Sequence, residues 1–429
     1  MLMRGAALPW FSIPFVVVLS VGAPLVWSFP EGLTSWRSAG IIVGWLGCGL
    51  LLASLLLMVR EPRLAAWLGG LERMYLWHHR LGVSAYLAFL AHPLLLAVDG
   101  WLDRPALAWA ILAPAQQGWP VWCGWAALLC MMLGLACALT PPRRLRYAWW
   151  RGLHGLLAVA VLLGGGHLLL LGVEMPLLWL PMLTVVVMLW RALRADVGLA
   201  AWPYRVSRVI SLGSDAVEVS LHSLGPLPAS SAAAVVRPGQ FVLVAFFGGP
   251  SFRGCGEYHP FTVSAVTPDG GIALGIKALG DCTRRLQTLQ PGVAARVQGP
   301  FGDFLPTHLS GPSLWLAGGI GITPFIAMLR GGRLEQSVRL IYLHRDAHDA
   351  AYVDELQALA RQQPALSLEV LASGAVPPDL RGVLPDAARL AGRKCYLCGP
   401  AGLIEAARDV LCERGVAERD IHFERFDFR

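Results

Sequence analysis

The sequence predicts a multidomain membrane protein: an all-α bundle of six transmembrane helices, an antiparallel β-barrel, and an α/β domain built on a parallel sheet. Three observations predict it. Long windows before about residue 200 lack charge altogether, although the chain as a whole is 15% charged and 55% hydrophobic. Between Tyr204 and Ile276, short alternating apolar runs are separated by Gly and Pro turns. From Ser313 onward, strand-length apolar runs alternate with helical ones. The expected domains are residues 1–200, 201–305 and 306–429.

The charge-free windows fall at Gly5–Pro30, Ser38–Val59, Leu81–Val98, Pro105–Pro142, Gly152–Val173 and Met175–Trp190. About 20 apolar residues suffice to cross a bilayer, so each is read as a span. The window from Pro105 is longer than one span. Its Trp- and Pro-rich start reads as an interfacial loop, with the helix from Gly118 onward. The first window is too long for a secretory leader and ends without a small-x-small cleavage site, so it reads as the first anchor. Arginines cluster on alternate connections: Arg60, Arg63, Arg73 and Arg80; Arg143, Arg144, Arg146 and Arg151; then Arg191 and Arg194. The positive-inside rule therefore puts these connections, both termini and the soluble half in the cytoplasm.

The net charge of +7 is largely this membrane-flanking arginine, and no basic patch with interleaved aromatics follows, which argues against nucleic acid as a partner. Nine cysteines, an odd number mostly in apolar context, read as reduced core residues rather than a disulfide framework.

Two spans carry histidines at one spacing: His79 and His92, and His154 and His167, each thirteen residues apart. Ionisable side chains inside lipid usually mark a pathway, and neutral imidazole is a common metal ligand. A lone histidine is as readily a buried hydrogen-bonding residue; two matched pairs on parallel spans point to two bis-histidine haems. Thirteen helical residues rise roughly 20 Å, which sets one haem near each face of the membrane. They also rotate by about 220°, whereas fourteen return nearly to the same face, which favours His78 as the partner of His92. The fifth span offers only the thirteen interval, so the reading takes His79 and keeps His78 as the alternative.

In the soluble half, His259-Pro-Phe-Thr-Val-Ser-Ala265 is a strand opened by His-Pro. Ile276-Lys-Ala-Leu-Gly-Asp-Cys-Thr283 places Gly280 where backbone can approach a phosphate. Gly318-Gly-Ile-Gly-Ile-Thr-Pro324 lies between a strand and a helix, so its amides can face a dinucleotide. It is not the G-x-G-x-x-G fingerprint, because Pro324 stands at the third glycine.

The order of these parts resembles the NADPH oxidase and ferric reductase family, whose soluble half is similar to ferredoxin–NADP reductases. That resemblance implies FAD along the strand of His259, Pro260, Phe261, Thr262 and Ser264, with Lys277, Gly280 and Thr283 at its pyrophosphate. It implies a nicotinamide nucleotide at Gly318, Gly319, Gly321 and Thr323, beside the turn Cys398-Gly399-Pro400. Cys398, Glu424 and an aromatic, Phe426, would stand at the hydride-transfer site. Arg345, where the family reads the adenosine ribose, can pair with a 2′-phosphate and so implies NADPH before NADH. The expected cofactors are two b-type haems, FAD and NADPH, in a wire that delivers electrons to a small-molecule acceptor, dioxygen or a ferric chelate, across the lipid bilayer. No partner subunit is named by any motif. The competing readings are a membrane-anchored NAD(P)H:flavin reductase donating to a quinone or partner protein, and a nucleotide-regulated transporter or sensor.

Overall fold

The structure is a computed structural model that describes residues 21–22, 25–26, 29–139, 147–175, 177–225, 236–249, 252–346, 350–374 and 378–425. The chain divides into two compact units, Met1–Arg60 with Trp67–Val197 and Glu61–Ala66 with Gly198–Arg429.

The first unit is helical: α1 (Ser35–Leu57), α2 (Leu71–Asp103), α3 (Pro105–Leu112), α4 (Trp119–Leu139), α5 (Tyr147–Leu170) and α6 (Trp179–Arg191). Four of these, α1, α2, α4 and α5, are long and apolar enough to cross a membrane. The first expected span lies almost wholly outside the described residues. The sixth is the 13-residue α6, which runs on into a π turn at Ala192–Asp196. The third expected span, with Pro93 inside it, is a helix that starts ten residues before its charge-free window, and buried neighbours in a bundle can satisfy the carbonyl that the proline frees. One expectation is corrected here. The stretch after Pro105 is not a loop but α3, which follows an N-terminal proline whose missing N–H costs nothing at that position.

Glycine governs how closely these helices pack. Along α1, Gly40 meets Leu96, Gly44 meets His92 and Gly47 meets Phe89, all on α2. On α4, Gly124 meets His167 and Gly134 meets Leu157 of α5. In lipid, where apolar tails compete equally with apolar side chains, such small residues let helices approach and gain dispersion contacts.

The second unit opens with six strands: β1 (Trp202–Ser211), β2 (Ala216–Ser223), β3 (Phe241–Phe246), β4 (His259–Val266), β5 (Ile272–Lys277) and β6 (Ala294–Phe301). They close as β1-β2-β5-β4-β3-β6, which leaves no free edge. Alternate residues such as Val219, Val242, Val244, Val263, Leu274 and Ile276 fill the interior. The short helix α7 (Asp281–Leu286) follows β5. Contrary to the all-reduced expectation, Cys255 and Cys282 form a disulfide between the loop before β4 and α7. A spacing of 27 residues carries no sequence signal for that pairing.

The α/β part comprises β7 (Ser313–Gly318), α8 (Thr323–Gly331), β8 (Val338–His344), α9 (Val353–Gln362), β9 (Leu366–Ala372), β10 (Lys394–Gly399), α10 (Ala401–Glu413) and β11 (Ile421–Arg425). All its strands are parallel, in the order β11-β10-β7-β8-β9. Helices cover both faces, so β7 is buried throughout and reads as a continuous apolar run. The chain reverses direction of winding between β7 and β10. Ligands of such sheets bind at the carboxyl ends of the strands flanking that point.

Candidate functional site

At the β7/β10 switch point three glycines crowd together. A Cβ on Gly321 would strike the Cys398 carbonyl, and one on Gly318 would strike Leu403 and come within 3.0 Å of Pro400. Gly319 adopts φ +54°, a left-handed conformation that favours glycine. Thr323 is buried, and its hydroxyl donates to the Ile320 carbonyl at 2.6 Å, closing the turn into α8. Pro400 caps α10 directly opposite. The two loops that sequence reading singled out separately are therefore one cleft edge. Arg345 stands exposed just past the end of β8, the strand beside β7.

Cys398 and Glu424 are register partners on β10 and β11, both buried. Burial, reinforced by the Glu424 charge, pushes the Cys398 thiol well above its usual range, so it stays protonated. A Cβ on Gly302, which has φ +88°, would lie 3.5 Å from Glu424 Oε1 and 3.2 Å from the Phe241 ring. Phe241 in turn pairs with Thr262 of β4. Glu424, with Cys398 beside it, thus lies next to Gly302 and Phe241, where the barrel meets the sheet. Phe426 lies outside the described residues.

Along β4 the pleat separates the motif. Phe261 turns into the barrel core, where it packs at 6.4 Å from Phe246, while Thr262 points outward. His259 is half-buried with Nε2 lacking a hydrogen-bond partner among the described residues; Glu257 is 3.8 Å away. Burial and the nearby Arg285 hold its imidazole below the usual value of 6.5. Pro260, paired with Leu243, leaves the strand one donor short.

Three of the expected cofactor contacts have protein partners in this structure. Ser264 is fully buried and its hydroxyl donates to Glu218. Thr283 uses its hydroxyl on its own loop, accepting from the Leu279 and Gly280 amides at 2.9 and 2.8 Å and donating to the Gly280 carbonyl. Lys277 is held by Asp215 at 3.3 Å.

In the helical unit, His78 and not His79 faces α5. The His78 and His154 ring centroids are 6.4 Å apart, whereas His79 is exposed. One position along a helix turns a side chain by about 100°, which is the whole difference. A metal held between two imidazoles by bonds of about 2 Å, plus about 1 Å from each nitrogen to its ring centre, spaces centroids about 6 Å apart. Three of the four rings are oriented through Nδ1. His92 donates to the Gly40 carbonyl at 2.8 Å and His167 to the Pro120 carbonyl at 2.7 Å, while His78 Nδ1 lies 2.8 Å from Ser54 Oγ. A carbonyl can only accept, so Nδ1 carries the proton on His92 and His167 and Nε2 is left free to bind a metal. Trp150 stacks on His154 at 4.9 Å, and Arg191 lies near enough for its charge to act on both His78 and His154. The Nε atoms of Arg60 and Arg191 are buried without a hydrogen-bond partner among the described residues.

Sequence reading missed Ser54, Gly44 and Gly124, although the repeat of glycines at 40, 44 and 47 is a legible helix-packing signal. It also missed Glu218 and Arg330, for which no local pattern exists.

A barrel joined to a parallel sheet with a glycine-lined switch point, preceded by apolar helices, defines a membrane-bound flavoprotein oxidoreductase that uses a nicotinamide nucleotide. Comparison with known families agrees: residues 43–165 match the ferric reductase like transmembrane component, and residues 315–409 match the oxidoreductase NAD-binding domain. The chain thus joins a region similar to a ferric reductase transmembrane component to an NAD-binding oxidoreductase module, which supports an NAD(P)H-dependent oxidoreductase.

Among curated proteins it is similar to the toluate 1,2-dioxygenase electron transfer component of Pseudomonas putida, with 28% identity covering 53% of this chain and 68% of that one. The ferredoxin reductase component of a 3-ketosteroid-9-alpha-monooxygenase from Mycolicibacterium smegmatis is 31% identical over 52% of this chain and 64% of its own. A flavohemoprotein of Chromobacterium violaceum is 29% identical over 55% and 63%. The chain spans between 54% and 68% of the length of the first relatives it matches.

Proposed function

We propose that this protein is a six-span transmembrane enzyme that carries electrons from cytoplasmic NADPH to an acceptor on the far side, dioxygen or a ferric chelate. When bound, FAD takes a hydride and releases single electrons, and two b-type haems relay them through the bilayer. His78 with His154 would hold the inner haem and His92 with His167 the outer one. Arg60 and Arg191, each with a buried Nε, would offer positive charge to the carboxylates of a haem, Arg191 while also pairing with Asp196 at 3.2 Å. His259 and Thr262 would line the flavin, with the Gly280 loop at its pyrophosphate. Gly318, Gly319 and Gly321 would bring backbone amides to the nicotinamide nucleotide, Arg345 would pair with its 2′-phosphate, and Gly399 and Pro400 would border the ring. Cys398 and Glu424, buried and adjacent, would exclude water from the transferring hydride.

The observation that carries this reading is the placement of His78 opposite His154, with ring centroids 6.4 Å apart and planes at 71°, and with His92 and His167 each held by a backbone carbonyl. The deciding experiment is the absorption spectrum of the purified protein under anaerobic conditions. Two b-type haems per chain that become reduced on adding NADPH are expected; haem-free protein, or haems that NADPH leaves oxidised, would refute it. The relatives named as electron transfer components support a second reading, in which the reductase module donates to a partner protein and the helices are only an anchor. Haem-free protein with NADPH-reducible flavin would favour that one.

A further inference from the structure

The most heavily bonded polar cluster among the described residues lies outside the cofactor motifs, where the barrel touches the nucleotide-binding half. Glu218 of β2, with its side chain 8% exposed, accepts from Arg330 Nη1 at 2.7 Å and Nη2 at 3.3 Å, from the Tyr352 hydroxyl at 2.9 Å, and from Ser264 Oγ. Arg330 turns its other edge to Glu355, with Nε and Nη2 donating at 2.7 and 2.8 Å, and Nη1 also reaches the Ser264 carbonyl at 3.2 Å. Every N–H of the guanidinium fork is thereby used. Tyr352 is held in a left-handed conformation, φ +64°, which a bulky residue keeps only when its surroundings over-determine it. Beside it, a Cβ on Gly275 of β5 would come within 3.0 Å of both the Tyr352 hydroxyl and Thr323 Oγ1, so the barrel leaves no room for a side chain of its own at this contact.

The position of this cluster gives it a consequence for chemistry. Ser264 lies two residues along β4 from Thr262, and Arg330 lies two turns along α8 from Thr323. One end of the clamp therefore holds the strand that carries the flavin-site residues, and the other holds the helix launched by the glycine loop. Buried ion pairs are weak stabilisers compared with apolar packing, but they fix geometry, because an uncompensated partner is costly in any other arrangement. Hydride transfer demands that fixity: reacting atoms must sit about 3–3.5 Å apart, and a misplacement of about 1 Å can cost about 100-fold in rate.

We infer that Glu218, acting through Arg330, is a positioning residue that sets the approach of the nicotinamide to the flavin by locking α8 against β4. The inference rests on Thr262 lining the flavin site. Neither residue touches a reacting atom, so their effect belongs in the rate of hydride transfer and not in cofactor affinity.

The test uses the full-length protein in detergent and the variants Glu218→Gln, which keeps the acceptor but removes the charge, and Arg330→Lys, which keeps the charge but removes the fork. Rapid-mixing reduction of bound FAD by saturating NADPH needs neither haem nor terminal acceptor. Each variant is expected to retain FAD stoichiometrically, to shift the KM for NADPH by less than about threefold, and to reduce its flavin about tenfold or more slowly. The double variant should be no slower than the worse single one, since the two residues act as one unit. In flavin-free protein, amide hydrogen exchange should rise along residues 259–264 and 323–331 and stay unchanged in β9. Flavin reduction within about twofold of wild type in either variant overturns the inference. So does a rate loss that tracks flavin loss or unfolding in both, which would make the cluster a folding element only. Wild-type protein whose FAD is not reduced by NADPH would instead refute the flavin-site reading itself.

Discussion

His78 and His79 are neighbours with opposite surroundings. His78 is hydrogen-bonded near Ser54 and faces His154, and His79 is exposed. Replacing His78 by Ala should remove one haem per chain, while His79→Ala should keep both; haem content per polypeptide measures the difference. At Arg345, loss of a charge-assisted pair with a 2′-phosphate costs about 1.5–3 kcal/mol. Arg345→Ala should thus lower kcat/KM for NADPH by about ten- to a hundredfold while that for NADH stays level. Unchanged discrimination in steady-state kinetics would remove Arg345 from the site. His259 supplies a pH dependence. Burial and Arg285 hold its folded-state imidazole below 6.5, so the unfolded chain takes up a proton first as pH falls. The stability it allows is therefore complete above pH 6.5 and is lost as pH drops through that value toward the lower folded one. Thermal melting between about pH 5 and 8 should show this slope in the wild type and a flatter one in His259→Gln.

Helix pairing in the first unit depends on glycines whose absent side chains make room for the histidine rings. A Cβ on Gly124 would lie 3.0 Å from His167 Nδ1, and one on Gly44 equally close to His92 Nδ1. Gly124→Ala should force α4 from α5 or tilt the ring off the Pro120 carbonyl, at a cost of about 1–3 kcal/mol. The expected readout is a lower occupancy or shifted spectrum of the outer haem alone. Gly165→Ala, where an added Cβ meets nothing within 4 Å, is the control and should leave the spectrum unaltered. In the second unit the same principle works on backbone: Gly321 is needed where the loop after β7 passes the Cys398 carbonyl. The glycine run is legible in sequence, but its crowding partner lies 77 positions away, and only the parallel pairing of β10 with β7 brings it there.

For the whole protein, the proposed cytoplasmic placement of the soluble domains, read from the arginine-rich connections around residues 60–80, 143–151 and 191–194, predicts a direction of electron flow. In sealed vesicles with those domains outward, NADPH added outside should reduce an acceptor trapped in the lumen. Vesicles carrying His92→Ala should not do so beyond the level of protein-free ones. Equal lumenal reduction in all three would mean that electrons never cross. The outcome is independent of the clamp at Glu218, whose variants should slow the same lumenal reduction without abolishing it.

Composition, charge-free windows and runs of alternating residues were enough to establish a helical membrane unit, a barrel and a parallel α/β sheet, because burial in lipid or in a core acts on residue type with the period of each element. The same patterns located the glycine loop, the His-Pro-Phe-Thr strand and the histidine-bearing helices. They took His79 before His78, whereas His78 faces His154, since helix tilt and packing decide a phase that spacing alone does not. The family resemblance implied a ligand for Ser264 and Thr283, and the tertiary structure adds protein partners for those hydroxyls, Glu218 and the Gly280 loop. The disulfide of Cys255 with Cys282 and the clamp of Glu218, Arg330 and Glu355 belong wholly to tertiary structure: each joins residues far apart in the chain, and only the folded neighbourhood makes their chemistry complementary.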